Sequence, residues 1–194
     1  PLLAQAGVEF EVAPADVDED LAAFDDCTAA AVELALRKAR AGARRAAERD
    51  PGRTCFVLGA DTVVAVPGEA GDRMLAKPAD EAEARAMLAL LSGTRHAVVT
   101  GVAVVRLPGG AEASDSERTW VRMRAITEEE RRAYAASGEW RGKAGGYAIQ
   151  ETADRFVTGL EGGGFDNVVG LPVERTLRLL RRAGWPAGAA DAGA

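Results

Sequence analysis

Histidine occurs once in this 194-residue sequence, at His96; cysteine occurs twice, at Cys27 and Cys55, and aromatic residues make up only 5%. Each scarcity excludes a class of chemistry. The two cysteines lie far apart in Ala-rich or apolar surroundings, without the paired spacing of a zinc site, and read as buried thiols of a reducing compartment. A lone histidine leaves a Ser-His-Asp or Cys-His mechanism one base to use. No Gly-x-Ser-x-Gly elbow accompanies it, so His96 is assigned to structure. Long apolar runs are also missing: stretches such as 55–58 and 97–99 fall far short of the ~20 residues that cross a bilayer. No basic segment followed by an apolar one opens the chain, and the expectation is a cytoplasmic protein without a membrane partner.

Positive charge is the minority sign, with 24 Lys and Arg against 30 Asp and Glu and a net charge of −6. Wrapping a nucleic-acid polymer relies on Lys and Arg displacing counterions, so that partner is disfavoured. A nucleotide is not. A triphosphate arrives with a divalent cation, and carboxylates for the metal plus a few lysines for the phosphates suit it better than a basic patch.

Hydrophobic residues at 47% and charged residues at 28% belong to an ordinary globular chain of one domain. The expected domain covers 1–184, with 185–194 as a loose tail. The Ala-rich stretch 28–48, stopped by Asp50-Pro51-Gly52, reads as one long helix carrying Lys38. Residues 54–66 read as a buried strand interrupted at Gly59 to Asp61, followed by a hairpin through Pro67-Gly68. Asp80 with Glu83 forms a capping box for a helix over 80–92, and Thr127 with Glu130 repeats the signal for a helix ending at Gly138. Residues 96–106 and 118–125 read as strands, and Pro172 opens a last helix with Leu177 and Leu180 facing inward. Strands mixed with helices predict an α/β domain with a mixed sheet.

Asp61 is the first chemical candidate, because a carboxylate in an apolar strand is costly unless it is paired, hydrogen-bonded or bound to metal. The residues alone admit a second reading, an Asp at a strand end capping the next turn. Asp16, Asp18, Glu19 and Asp20 could supply oxygen ligands to Mg²⁺, or form a solvated acidic loop that Asp25 and Asp26 extend. The segment Gly138-Glu-Trp-Arg-Gly-Lys-Ala-Gly-Gly-Tyr-Ala-Ile-Gln150 joins backbone freedom to Lys143, which suits a phosphate, and to Gln150, which can donate and accept toward a base edge. Its plainer reading is a glycine-rich connection. Gly162-Gly-Gly-Phe-Asp-Asn167 is read as a surface turn rather than a phosphate loop.

Taken together, Ala-Leu-Arg-Lys-Ala (35–39), Gly-Ala-Asp-Thr-Val-Val (59–64), Lys77-Pro78, Leu91-Ser-Gly, His96-Ala-Val-Val-Thr-Gly101, Gly138-Glu-Trp, Lys143-Ala-Gly-Gly-Tyr-Ala-Ile-Gln150 and Asn167-Val-Val-Gly-Leu-Pro172 resemble the Maf family, in order and over nearly the whole chain. The resemblance implies an inosine-triphosphatase-like fold with two lobes around a cleft. It also implies cleavage between the α and β phosphates of a nucleoside triphosphate with a divalent cation, Mg²⁺ first and Mn²⁺ or Co²⁺ after it. Asp61 matches the family's proton acceptor, Lys38 and Lys77 its phosphate-binding lysines, and Asp18 or Glu19 its acidic metal residue beside Asp61. Thr62 and Gln150 look like the branch acting on dTTP and UTP, with Gln150 on the base and Glu139 either on substrate or supporting Lys143. Family members open with a strand and a Ser-x-Ser-Pro-Arg-Arg phosphate loop, whereas this sequence opens at Pro1-Leu2-Leu3, read as the helix after that loop. Three alternatives stay open: a nucleotide-binding cell-division regulator with little turnover, a purine-cleansing pyrophosphatase, and a homodimer.

Overall fold

The computed structural model describes residues 1–15, 17–68 and 71–186. Its helices are α1 (Leu2–Gln5), α2 (Cys27–Arg49), α3 (Glu81–Leu91), α4 (Glu128–Ser137), α5 (Phe165–Val169) and α6 (Val173–Arg182). Its strands are β1 (Cys55–Val66), β2 (Arg73–Leu75), β3 (Arg95–Leu107), β4 (Ala111–Met123) and β5 (Val157–Glu161).

The helices begin where short polar side chains satisfy otherwise orphaned amides. Asp26 accepts from Ala29 N at 2.7 Å to open α2, and Asp80 accepts from Glu83 N at 2.8 Å to open α3. At α4 the box is reciprocal: Thr127 accepts from Glu130 N, and Glu130 accepts from Thr127 N. The expected box at α3 is half made, since the Glu83 carboxylate takes the Ala79 amide instead of that of Asp80. Gly138, at φ 77°, stops α4 with the left-handed residue that only glycine adopts cheaply.

The strands form one sheet in the order β2-β1-β3-β4-β5, with helices on both faces, and the α/β class stands. The mixed sheet does not, because every pairing among the described residues is antiparallel. β2 and β3, with α3 between them in sequence, do run in the same direction, but β1 lies between them and pairs with both. β1 is also continuous, without the expected interruption at Gly59 to Asp61. Gly59 serves close approach instead: a Cβ there would fall 2.3 Å from Ala35 O and 2.6 Å from Ala39 N of α2. At Gly101 the same test gives 2.2 Å to Ala31 O, so a small-residue stripe of α2 is seated directly on two strand backbones.

Alternation along β1 and β3 sorts the core into two faces. Val57, Val63 and Ala65 with Ala97, Val99, Ala103 and Val105 pack on α2. The opposite face carries two clusters. Phe56, Leu58, Val102 and Val104 pack with Leu179 and Leu180 of α6, while Val64 and Val98 pack with Leu88 and Leu91 of α3 and Tyr134 of α4. The two clusters flank a cleft at the middle of the long strands.

Several expectations need correction. β4 begins at Ala111 instead of residue 118, since its first half is too polar to show a strand period. β5 has no counterpart among the expected strands. The region read as a surface turn before residue 168 runs into α5, whose Asn167 is fully buried. On α6, Leu179 and Leu180 are buried and Leu177 only partly so. Cys27 is buried as expected, while Cys55 is only half-buried. Of the expected tail, Trp185 packs against the α6 cluster, and residues 187–194, like Asp16, lie outside the described residues. No helix among the described residues is long and apolar enough to cross a membrane.

Candidate active site

The cleft holds a cavity of about 310 Å³. β1 contributes Ala60, Asp61, Thr62 and Val64, β3 contributes Val98, and α5 contributes Val168 and Val169. Lys77 and the segment running from Gly142 through Lys143 and Tyr147 to Gln150 complete the lining. β2 pairs with β1 only from Val64 onward, so at Asp61 and Thr62 the edge of β1 away from β3 has no strand partner among the described residues. Successive side chains of a strand point to opposite faces. Asp61 accordingly meets Lys38 on α2, while Thr62 meets Thr100 and the α5 side.

The α2 side is ionic. Lys38 pairs with Asp61 and, at 2.7 Å, with Glu19; Lys77 pairs with the other oxygen of Glu19. The Asp61 side chain is only 11% exposed. Burial raises the pKa of its carboxyl, with the Lys38 hydrogen bond opposing the shift. Burial would lower Lys38, but its hydrogen bonds to Asp61 and Glu19 outweigh that and raise it. Burial would raise Glu19, yet the two lysines carry it below the usual carboxylate range. Two cations and two anions thus meet at one mouth of the cavity.

The opposite side is neutral. The Thr62 and Thr100 hydroxyls lie 2.9 Å apart, and Thr100 donates to Asn167 O at 2.8 Å. Asn167 in turn donates to Val98 O and to the Thr119 hydroxyl, fixing α5 to β3 and β4. Tyr147, a wall of the cavity, hydrogen-bonds His96 Nε2 at 2.8 Å. His96 is fully buried, and burial lowers its pKa to about 4, so the ring is neutral and structural.

The structure therefore brings Asp61, Thr62, Lys77, Lys143 and Gln150 to one cavity and joins Lys38 and Glu19 to it through ion pairs. Asp18 is placed differently: its carboxylate accepts from Asp20 N at 3.1 Å, and its carbonyl accepts from Arg37. Glu139 is turned to Thr152, accepting from its amide at 3.0 Å and its hydroxyl at 2.6 Å, so it braces the loop below Gln150. Lys143 reaches Glu151 at 3.7 Å. Among the described residues no group of three or more His, Cys, Asp or Glu side chains could hold a metal. Two carboxylates, Glu19 and Asp61, do converge on Lys38, and one or two carboxylates completed by substrate phosphates are the usual holding of Mg²⁺.

Sequence reasoning gave no role to Thr100 or Asn167. Residues 62, 100 and 167 meet only through the tertiary fold, and a polar Asn167 directly before Val168-Val169 was the one local sign.

The site thus joins an ionic cluster on the α2 side of the sheet to a cavity walled on the other side by Val64, Val98, Val168 and Tyr147. The family model described as Maf-like protein matches residues 1–183. The chain belongs to the Maf family. It is 46% identical over 185 residues to the dTTP/UTP pyrophosphatase of Caulobacter vibrioides, covering 95% of this chain and 90% of that protein. The protein of the same name from Hyphomonas neptunium is 47% identical with the same coverage, and that of Symbiobacterium thermophilum is 44% identical, covering 95% and 89%.

Proposed function

We propose that this chain is a nucleoside triphosphate pyrophosphatase that hydrolyses dTTP and UTP to the monophosphate and pyrophosphate. The observation that carries the reading is Asp61: a mostly buried carboxylate, held by Lys38, where the ionic cluster meets the cavity. Relatives across nearly the whole chain are named for that activity.

The mechanism follows from charge and position. An incoming triphosphate competes for the two lysines, and the Lys77–Glu19 tie is the easier to exchange because Lys77 is about half-exposed. Lys38 and Lys77 then stabilise the charge that grows on pyrophosphate as the bond between the α and β phosphates breaks. Asp61 accepts the proton of the attacking water, a task to which its burial-raised basicity suits it. Glu19 and Asp61 are the residues that would hold a divalent cation, which would draw charge from the phosphates when bound. On the far side, Val98, Val168 and Tyr147 offer an apolar bed for a pyrimidine, with Thr62 and Gln150 at its polar edge. The unpaired thiols Cys27 and Cys55 fit a reducing cytoplasm.

The test is Asp61→Asn, assayed by pyrophosphate release from dTTP and UTP with Mg²⁺. Turnover should fall by about 10²–10⁴-fold while the circular dichroism spectrum is retained. Unchanged turnover in a folded variant sinks the assignment of Asp61.

A further inference from the structure

The hydroxyl chain running from the cavity wall into the core has a fixed direction. Thr100 Oγ1 lies 2.8 Å from Asn167 O, a carbonyl that can only accept. The single hydroxyl proton of Thr100 must therefore sit on that contact, since otherwise two lone pairs would face each other in a fully buried place. Thr100 then has only a lone pair to offer at the 2.9 Å contact with Thr62, and Thr62 is the donor. With its one proton spent inward, Thr62 faces the cavity as an acceptor.

Thr62 has little freedom to leave this arrangement. It is β-branched on a strand, which stiffens χ1, and its hydroxyl is held by the 2.9 Å contact with Thr100; glycine at 170 leaves clear the space where a Cβ would stand 3.3 Å from that hydroxyl. Asn167 holds the far end of the chain: it is fully buried, and its side-chain amide donates to Val98 O at 3.2 Å and to Thr119 at 2.8 Å.

We infer that Thr100 is a specificity-positioning residue: it fixes the Thr62 hydroxyl as an acceptor, so that the cavity selects a head group presenting an N–H, the imide N3–H of uracil or thymine. Cytosine carries a bare ring nitrogen at that position and meets the Thr62 oxygen lone pair to lone pair. A freely rotating hydroxyl would donate to cytosine as readily as it accepts from uracil. The fixed one discriminates because the mismatch leaves two buried acceptors without a proton between them. The inference rests on the pyrimidine reading of the cavity given above.

The test compares wild type, Thr100→Val and Thr100→Ser. Valine keeps the shape and removes the hydroxyl, leaving Asn167 O the Gly170 amide at 3.0 Å, and serine keeps the hydroxyl. Two ratios are measured: kcat/KM for UTP against CTP by pyrophosphate release, and Kd for UMP against CMP by calorimetry without metal. In Thr100→Val the preference for uracil should fall roughly tenfold, mainly through KM and Kd, and Thr100→Ser should restore it. A folded Thr100→Val variant with an unchanged ratio, or one losing UTP and CTP activity equally, overturns the inference, as does a wild type that prefers neither base. If wild type releases pyrophosphate from no nucleotide, the proposed activity fails, and the UMP-to-CMP ratio of the three proteins decides the inference by the same criteria.

Discussion

Gly59→Ala puts one methyl group where α2 and β1 touch. The built Cβ lies 2.3 Å from Ala35 O and 2.6 Å from Ala39 N, both backbone atoms of α2 that no rotamer change can move. Comfortable contact lies near 3.5 Å, so the carbonyl must retreat by about 1.2 Å, the difference of the two distances. Lys38 stands between Ala35 and Ala39 in the helix, so the retreat carries the ammonium away from Asp61 and Glu19. Overpacking of this kind costs about 1–3 kcal/mol. At roughly 2–4 °C per kcal/mol for a chain of this size, Tm should drop by about 2–12 °C. Misplacing a reacting group by ~1 Å costs on the order of 10²-fold in rate, and pyrophosphate release from UTP should fall accordingly. Differential scanning fluorimetry and the release assay on the same preparation check both numbers. Wild-type Tm together with wild-type kcat would show that α2 does not need the glycine, and would refute the account of how Lys38 is placed.

Two further outcomes follow from the titrating groups. Lys38→Met removes the cation that opposes the burial-raised pKa of Asp61, so the acid limb of the pH–rate profile should move to higher pH; an unmoved limb removes Lys38 from the control of Asp61. His96 has a folded pKa of about 4 against 6.5 unfolded, so its contribution to stability is complete above pH ~6.5 and is lost as pH falls toward 4. The full difference is worth about 3 kcal/mol. Urea denaturation between pH 7.5 and 4.5 should show His96→Gln losing less stability than wild type, and parallel curves would refute the burial of a neutral ring.

Much of the fold was legible because it is written in local chemistry. Asp80, Thr127 and Pro172 mark helix starts, the α2 alanines and the β1 and β3 valines set their periods, and Asp61 stands out as a charge in an apolar strand. What escaped reading was tertiary. Gly59 resembles a strand break until the helix pressed on it is known, and β5 and the polar half of β4 earn their strand state from neighbours rather than from composition. The same holds within the site. Asp61 and Gln150 stand out by their own chemistry and Thr62 and Lys77 through the family resemblance, whereas the turn of Glu139 toward Thr152 and the link from Thr62 through Thr100 to Asn167 depend on contacts spanning 13, 38 and 67 residues.

The pleat of β1 acts as a ruler. Asp61 and Thr62 are neighbours separated by one rise of about 3.3 Å, yet they serve opposite sides of the sheet. A ligand that engages both must bend around the strand edge between them. This favours molecules with a supple joint between an anionic tail and a flat head, as a ribose provides, over rigid rods of the same length. It also ties the two side chains mechanically: a one-residue slip of β1 would exchange their faces, turning the carboxylate toward Thr100 and α5 and the hydroxyl toward Lys38.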